Sequence, residues 1–151
     1  MDIDLILAIA HHLAVFSLVG VFAAEFALLR TGLAGARIAQ LARIDLGYGA
    51  LSGVVILVGI LRVFLGSSGW QYYAGNHMFW GKMLAFMIMG LLTIRPTMAI
   101  RRWVGQLDRD PGFAPSAAEI ARNRRYVHLQ AGMLVLIPSF AAAMARGYGV
   151  A

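Results

Sequence analysis

Three ionisable residues interrupt the apolar run Leu5–Leu29: His11, His12 and Glu25. Arg62 and Lys82 stand at the edges of two later apolar runs, and His77 lies between those runs. Imidazole is a common axial ligand for haem iron, and two cations near it would meet a porphyrin's carboxylates. His11, His12, Arg62, His77 and Lys82 are therefore candidates to hold haem b or another tetrapyrrole. The sixth iron position would go to His77, Lys82, Met78 or Met83, or the iron would be five-coordinate. His11 and His12 are also the candidates for a non-haem metal, with Asp2 and Asp4 the nearest carboxylates. A second polar set comprises Glu25, Tyr48, Arg95 and His128, with Asp45 and Gln130 at similar depth. Arg95 and His128 are the expected partners of Glu25, either in an ion pair that fixes helix packing or in a proton or small-solute conduit.

The elements that must position these groups are membrane helices. Runs at about 5–29, 46–65, 79–100 and 126–145 are each long enough to cross a ~30 Å hydrocarbon core at ~1.5 Å per residue. Short connections between them predict an all-α, antiparallel, up-down four-helix transmembrane bundle in a single domain. Ionised groups at membrane depth cost ~2.5–3.5 kcal/mol each and turn toward the bundle interior. Seven residues are nearly two helical turns, so His11, Leu18 and Glu25 share a stripe. Tyr48, Ser52, Val55, Gly59 and Arg62 share one on the second span. His12 points about 100° away from His11, so only one of the two faces a given neighbour squarely.

Charge is segregated along the chain. Arg30, Arg37 and Arg43 occupy the first connection, and Arg101, Arg102, Arg109, Arg122, Arg124 and Arg125 the third. The Gly66–Met78 loop has no Lys or Arg. The positive-inside rule then places both termini outside and the arginine clusters against anionic headgroups on the cytoplasmic side. A membrane junction accounts for the clusters without nucleic acid. Asp110-Pro111-Gly112 reads as a turn, and Ser116–Glu119 as a capping box that starts the last helix near Ala117, in the cytoplasm. Trp70, Tyr72, Tyr73 and Trp80 fit an interfacial aromatic belt. Gly49–Gly53 has GxxxG spacing, which suits close packing within the bundle or in a homo-oligomer. Pro96 and Pro138 lie inside helical runs and predict bends.

Hydrophobic residues make up 60% of the 151 residues and charged residues 13%, against ~25% charged in soluble domains. The acidic start and long first run predict a retained span rather than a cleaved leader. The absence of cysteine excludes disulfides, iron–sulfur clusters and thiolate chemistry. No hydrolase constellation, phosphate loop or HExxH motif is present.

The pieces Ala10-His11-His12-Leu13, Gly59–Phe64, Phe79-Trp80-Gly81-Lys82 and Pro115–Glu119 resemble those of a bacterial family of four-span membrane proteins, a domain of unknown function. That resemblance spans nearly the whole chain and implies an inner-membrane location. A second covers two short pieces: an early histidine in the first span, His11 or His12, and Trp80-Gly81-Lys82. These are similar to the HemJ-type (protoporphyrinogen oxidation) and CopD-type (copper resistance) membrane families, which implies haem or porphyrin chemistry by analogy. The alternatives are a scaffold or accessory subunit with a membrane partner, and the conduit named above.

Overall fold

The computed structural model describes residues 2–150. Four long helices carry the fold: α1 (Ile3–Leu28), α2 (Ala36–Leu65), α4 (His77–Leu107) and α5 (Ala117–Ala145), with a short α3 (Gly69–Ala74) between α2 and α4. All four long helices are long and apolar enough to cross a membrane. Leu13, Phe16, Phe64, Leu91, Met98 and Val135 are 60–71% exposed. Exposed large apolar side chains recur on all four long helices, a surface that lipid tails cover without penalty.

The helices form two closely packed hairpins, α1 with α2 and α4 with α5, and α2 meets α4 more sparsely. The core runs along the inner faces through Leu18, Phe22, Tyr48, Met89, Trp103 and Val127. One end of the bundle holds the start of α1, the end of α5 and α3; the other holds the arginine-rich connections.

Local chemistry explains the boundaries. Asp2 caps α1 by accepting from the Asp4 N–H. The α1–α2 connection turns through Gly32 (φ 81°) and Gly35 (φ 51°), a left-handed backbone that disfavours other residues. At the foot of α1, the Arg124 guanidinium donates to the Leu29 carbonyl at 2.6 Å, satisfying a group that the helix end leaves free. Asp110 accepts from the Gly112 N–H at 2.9 Å, which makes the turn after α4. Ser116 and Glu119 form a capping box at the start of α5.

Two boundaries differ from the sequence expectation. α2 begins at Ala36, ten residues before the apolar run, so Arg37, Arg43 and Asp45 are helical rather than in a loop. The apolar run marks only the part of the helix in lipid, while helix formation continues through residues 36–45, which contain no Gly or Pro. The Gly66–Met78 loop is also more ordered than its glycines suggest. Its α3 packs aromatic rings against the start of α4: Tyr73 and Phe79 lie 5.4 Å apart, and the Trp80 Nε1–H donates to the Ala74 carbonyl at 3.0 Å.

The C-terminal residues close this end of the bundle. His77 N–H donates to the Gly149 carbonyl at 2.8 Å, and the Asn76 side-chain amide donates to the Tyr148 carbonyl at 3.2 Å. Asn76 is fully buried and also caps α4, accepting from Met78 N–H and Phe79 N–H. Gly149 has φ 84°, and a Cβ there would lie 2.8 Å from Met78 Cγ. Only glycine fits this crossing.

Candidate functional site

Between the hairpins, toward the end bearing α3, lies a cavity of about 380 Å³. It falls at the lower end of the ~300–1,000 Å³ typical of small-molecule sites. Its walls are almost wholly apolar, from Leu18 on α1, Val55 on α2 and Met89 on α4 to Leu134 and Ile137 on α5. Three nitrogen-bearing side chains interrupt them: His11 from α1, Arg62 from the last turns of α2 and Lys82 from the first turns of α4. No Asp or Glu lines the cavity.

Helix periodicity produces this layering. Leu18, Val55 and Met89 are each seven residues from His11, Arg62 and Lys82 respectively. Seven residues are two turns and ~10 Å, so each basic residue stands above an apolar one on the same face. Gly59 leaves room for the imidazole; a Cβ there would lie 3.5 Å from His11 Cε1. The Lys82 ammonium stands 5.3 Å from the centre of the Phe79 ring, within cation–π range. Buried and without a hydrogen-bond partner are His11 Nδ1 and Arg62 Nε. Such groups cost ~1–3 kcal/mol each when left unsatisfied. The arrangement concentrates donors and positive charge at one end of an apolar chamber, which suits a ligand with acidic groups on an apolar body.

The structure sorts the sequence candidates. His11, Arg62 and Lys82 converge on the cavity, and Met83 and Met89 contribute thioethers to its wall. His12 does not belong to the site. It is exposed, and its ring Nδ1–H donates to the Ala8 carbonyl of its own helix at 2.7 Å. The two histidines therefore do not form a metal-binding pair, because adjacent helical positions diverge by ~100°. His77 is exposed and does not line the cavity, since the strap of residues 148–150 takes its backbone while its side chain stays outside. Met78 likewise lies outside the wall. Among the described residues no group of three or more His, Asp or Glu is placed to hold a metal ion.

The second polar set changes more. Glu25 is 2% exposed, but Arg95 and His128 both lie on the exposed surface and neither pairs with it. His128 Nδ1–H donates to the Arg124 carbonyl at 2.6 Å, and its ring stacks edge-on against Phe26. What meets at this depth is uncharged or acidic. Tyr48 Oη–H donates to Gln130 Oε1 at 3.5 Å, Thr93 Oγ1–H to the same oxygen at 3.2 Å, and Thr97 Oγ1–H to Asp45 Oδ1 at 2.6 Å. The Glu25 carboxyl has no hydrogen-bond or ion-pair partner among the described residues. The Gln130 side chain also leaves Nε2 buried and unpaired. Depth along each span is all that the sequence offers for pairing these charges. Depth does not fix the azimuth of a side chain around its helix, and Arg95 and His128 fall on outward faces.

Asn76, Thr93 and Thr97 join the buried polar contacts only in the structure. Asn76 two residues before Met78 is a helix-start signal visible in the sequence; the threonines carry none, because their role depends on which helix faces them.

No curated protein and no solved structure matches the chain significantly. A family profile described as "Predicted membrane protein (DUF2214)" matches residues 3–149, from the first turn of α1 to the glycine beneath the C-terminal strap. The four lipid-length helices and this end-to-end match agree: the chain belongs to the DUF2214 family of membrane proteins, a domain of unknown function.

Proposed function

We propose that this is a bacterial inner-membrane protein that holds an acidic, largely apolar ligand in the His11 cavity, and that the ligand is haem or a related tetrapyrrole. One observation carries the reading: the unpartnered nitrogens of His11 and Arg62 at a cavity that no acid lines. The donor set fits such a group. His11 offers an imidazole, the thioethers of Met83 and Met89 stand on the opposite helix, and Arg62 and Lys82 offer positive charge to carboxylates. Bound haem would supply one-electron chemistry. The chain's own part is to orient, to neutralise acid groups and to keep water out, through walls built from Val55, Phe86, Leu134 and their neighbours.

The placement follows the arginine distribution. With the arginine-rich connections on the cytoplasmic side, the cavity lies in the outer half of the membrane and both termini face outward. The cytoplasmic arginines then meet anionic headgroups.

Hemin titration of the purified protein in mild detergent, read by visible spectroscopy before and after dithionite, tests this. The expected result is a Soret band that His11→Ala abolishes or shifts and His12→Ala leaves unchanged. A preparation that stays spectrally identical to free hemin overturns the reading, and so does a band that depends on His12 instead of His11.

A further inference from the structure

The His11 cavity does not stop at the middle of the bundle. A second void of about 160 Å³ lies beyond it, lined only by residues of α2 and α4. Ile56, Phe86 and Met89 line both voids, so the two adjoin along the α2–α4 seam. The two helices meet here more sparsely than the partners within either hairpin, and Gly49 and Gly90 keep the far part of the seam open. The hydroxyls of Tyr48, Ser52 and Thr93 mark that far end.

The seam has an open side. Ile56, Ile60 and Phe64 of α2 and Met83 of α4 line the cavity and are still 47, 49, 68 and 37% exposed. In a membrane protein, that exposure faces acyl chains. The seam's length also has a scale. From Lys82 to Thr93 is eleven residues, or ~16 Å along a helix. One leaflet contributes about half of a ~30 Å hydrocarbon core. The groove is therefore one acyl chain long, runs along α4, and begins at a pair of cations placed within two turns of the helix ends.

We propose that the α2–α4 seam holds one anionic lipid of the surrounding bilayer, with its phosphate at Arg62 and Lys82 and one acyl chain laid toward Thr93. Charge complementarity selects an acidic headgroup, because no acid lines the cavity and nearby Asp4 accepts from the Ser67 hydroxyl at 3.0 Å outside it. The apolar groove selects a lipid over a free anion, which would leave the seam empty. This proposal stands apart from the tetrapyrrole reading but shares Arg62 and Lys82 with it, so the two ligands compete.

The test uses the full chain reconstituted in bilayers of equal phosphatidylglycerol and phosphatidylcholine, then released in mild detergent for native mass spectrometry. One phosphatidylglycerol is expected to survive release. The double variant Arg62→Gln, Lys82→Gln lowers its occupancy about tenfold, equivalent to ~1.4 kcal/mol. Gly49→Leu with Gly90→Leu does the same with the cations intact. Nothing lies within 4 Å of a Cβ at either glycine, so these side chains fill the seam without displacing backbone and keep the test decisive if the charge variant misfolds. Arg95→Gln, at an exposed residue that lines neither void, leaves the retained lipid unchanged. Equal retention of the two lipids overturns the proposal, as does occupancy indifferent to both the charge and the glycine variants, or a lipid-free dimer. Hemin spectra report separately: a haem-binding protein that retains no lipid refutes only this proposal, and a lipid-retaining protein blind to hemin refutes only the tetrapyrrole reading.

Discussion

Glu25→Gln discriminates between the pairing that depth suggests and the packing the structure shows. If Glu25 were ion-paired with Arg95 or His128, removing its charge would strand a buried cation and cost ~3–5 kcal/mol. In the structure no donor reaches the Glu25 carboxyl, and Arg95 and His128 are already outside. The amide has nearly the same shape and gives up no partner. An isolated ionised group at membrane depth carries a ~2.5–3.5 kcal/mol insertion penalty, which Gln avoids in large part. The expected result is stability equal to the wild type or higher by up to ~2 kcal/mol, measured by denaturation in mixed micelles. Arg95→Gln is expected within ~0.5 kcal/mol of the wild type, as for surface substitutions. A loss above ~3 kcal/mol for Glu25→Gln, non-additive with Arg95→Gln in a double-mutant cycle, would refute the assignment of Glu25 to an unpaired interior position.

Three further outcomes follow from particular contacts. Asn76→Ala removes the α4 cap and strands the Tyr148 carbonyl, so it is expected to cost ~2–4 kcal/mol and to expose the C-terminal residues to carboxypeptidase; resistance equal to the wild type contradicts the strap. Gly59→Ala places its methyl in ordinary contact with His11 and is expected to be silent, whereas Gly59→Leu crowds the imidazole and abolishes the hemin spectrum; identical spectra for the two variants remove Gly59 from the site. Ser116→Ala breaks the capping box of α5 and is expected to destabilise by ~1 kcal/mol, seen as earlier thermal loss of helical circular dichroism; an unchanged melt argues against the cap.

Much of the frame is readable without coordinates. The four apolar runs, the Ser116–Glu119 box and the Asp110–Gly112 turn depend on neighbours within four residues or on bulk apolarity, and both are written along the chain. The α2 boundary is less readable, since a helix extends past its lipid-facing part. Every residue of the stripe Tyr48, Ser52, Val55, Gly59 and Arg62 lines one of the two voids, but the open side of α2, with Ile56, Ile60 and Phe64, lies outside it. Which of His11 and His12 turns inward has no local signal, because it depends on the rotation of α1 against α2 and α5.

The sequence by itself determined that the chain lives in lipid, how many times it can cross, and which few polar groups the crossings carry. Hydrophobic transfer and helical rise act on each segment separately, so they leave their mark in order along the chain. Only the tertiary structure decided that His11, Arg62 and Lys82 share a cavity while His12, His77, Arg95 and His128 do not. That choice is made by the angle at which each rod meets its neighbours. Packing sets that angle through contacts such as Gly59 against His11 and the Gly149 crossing over Met78, between residues far apart in the chain.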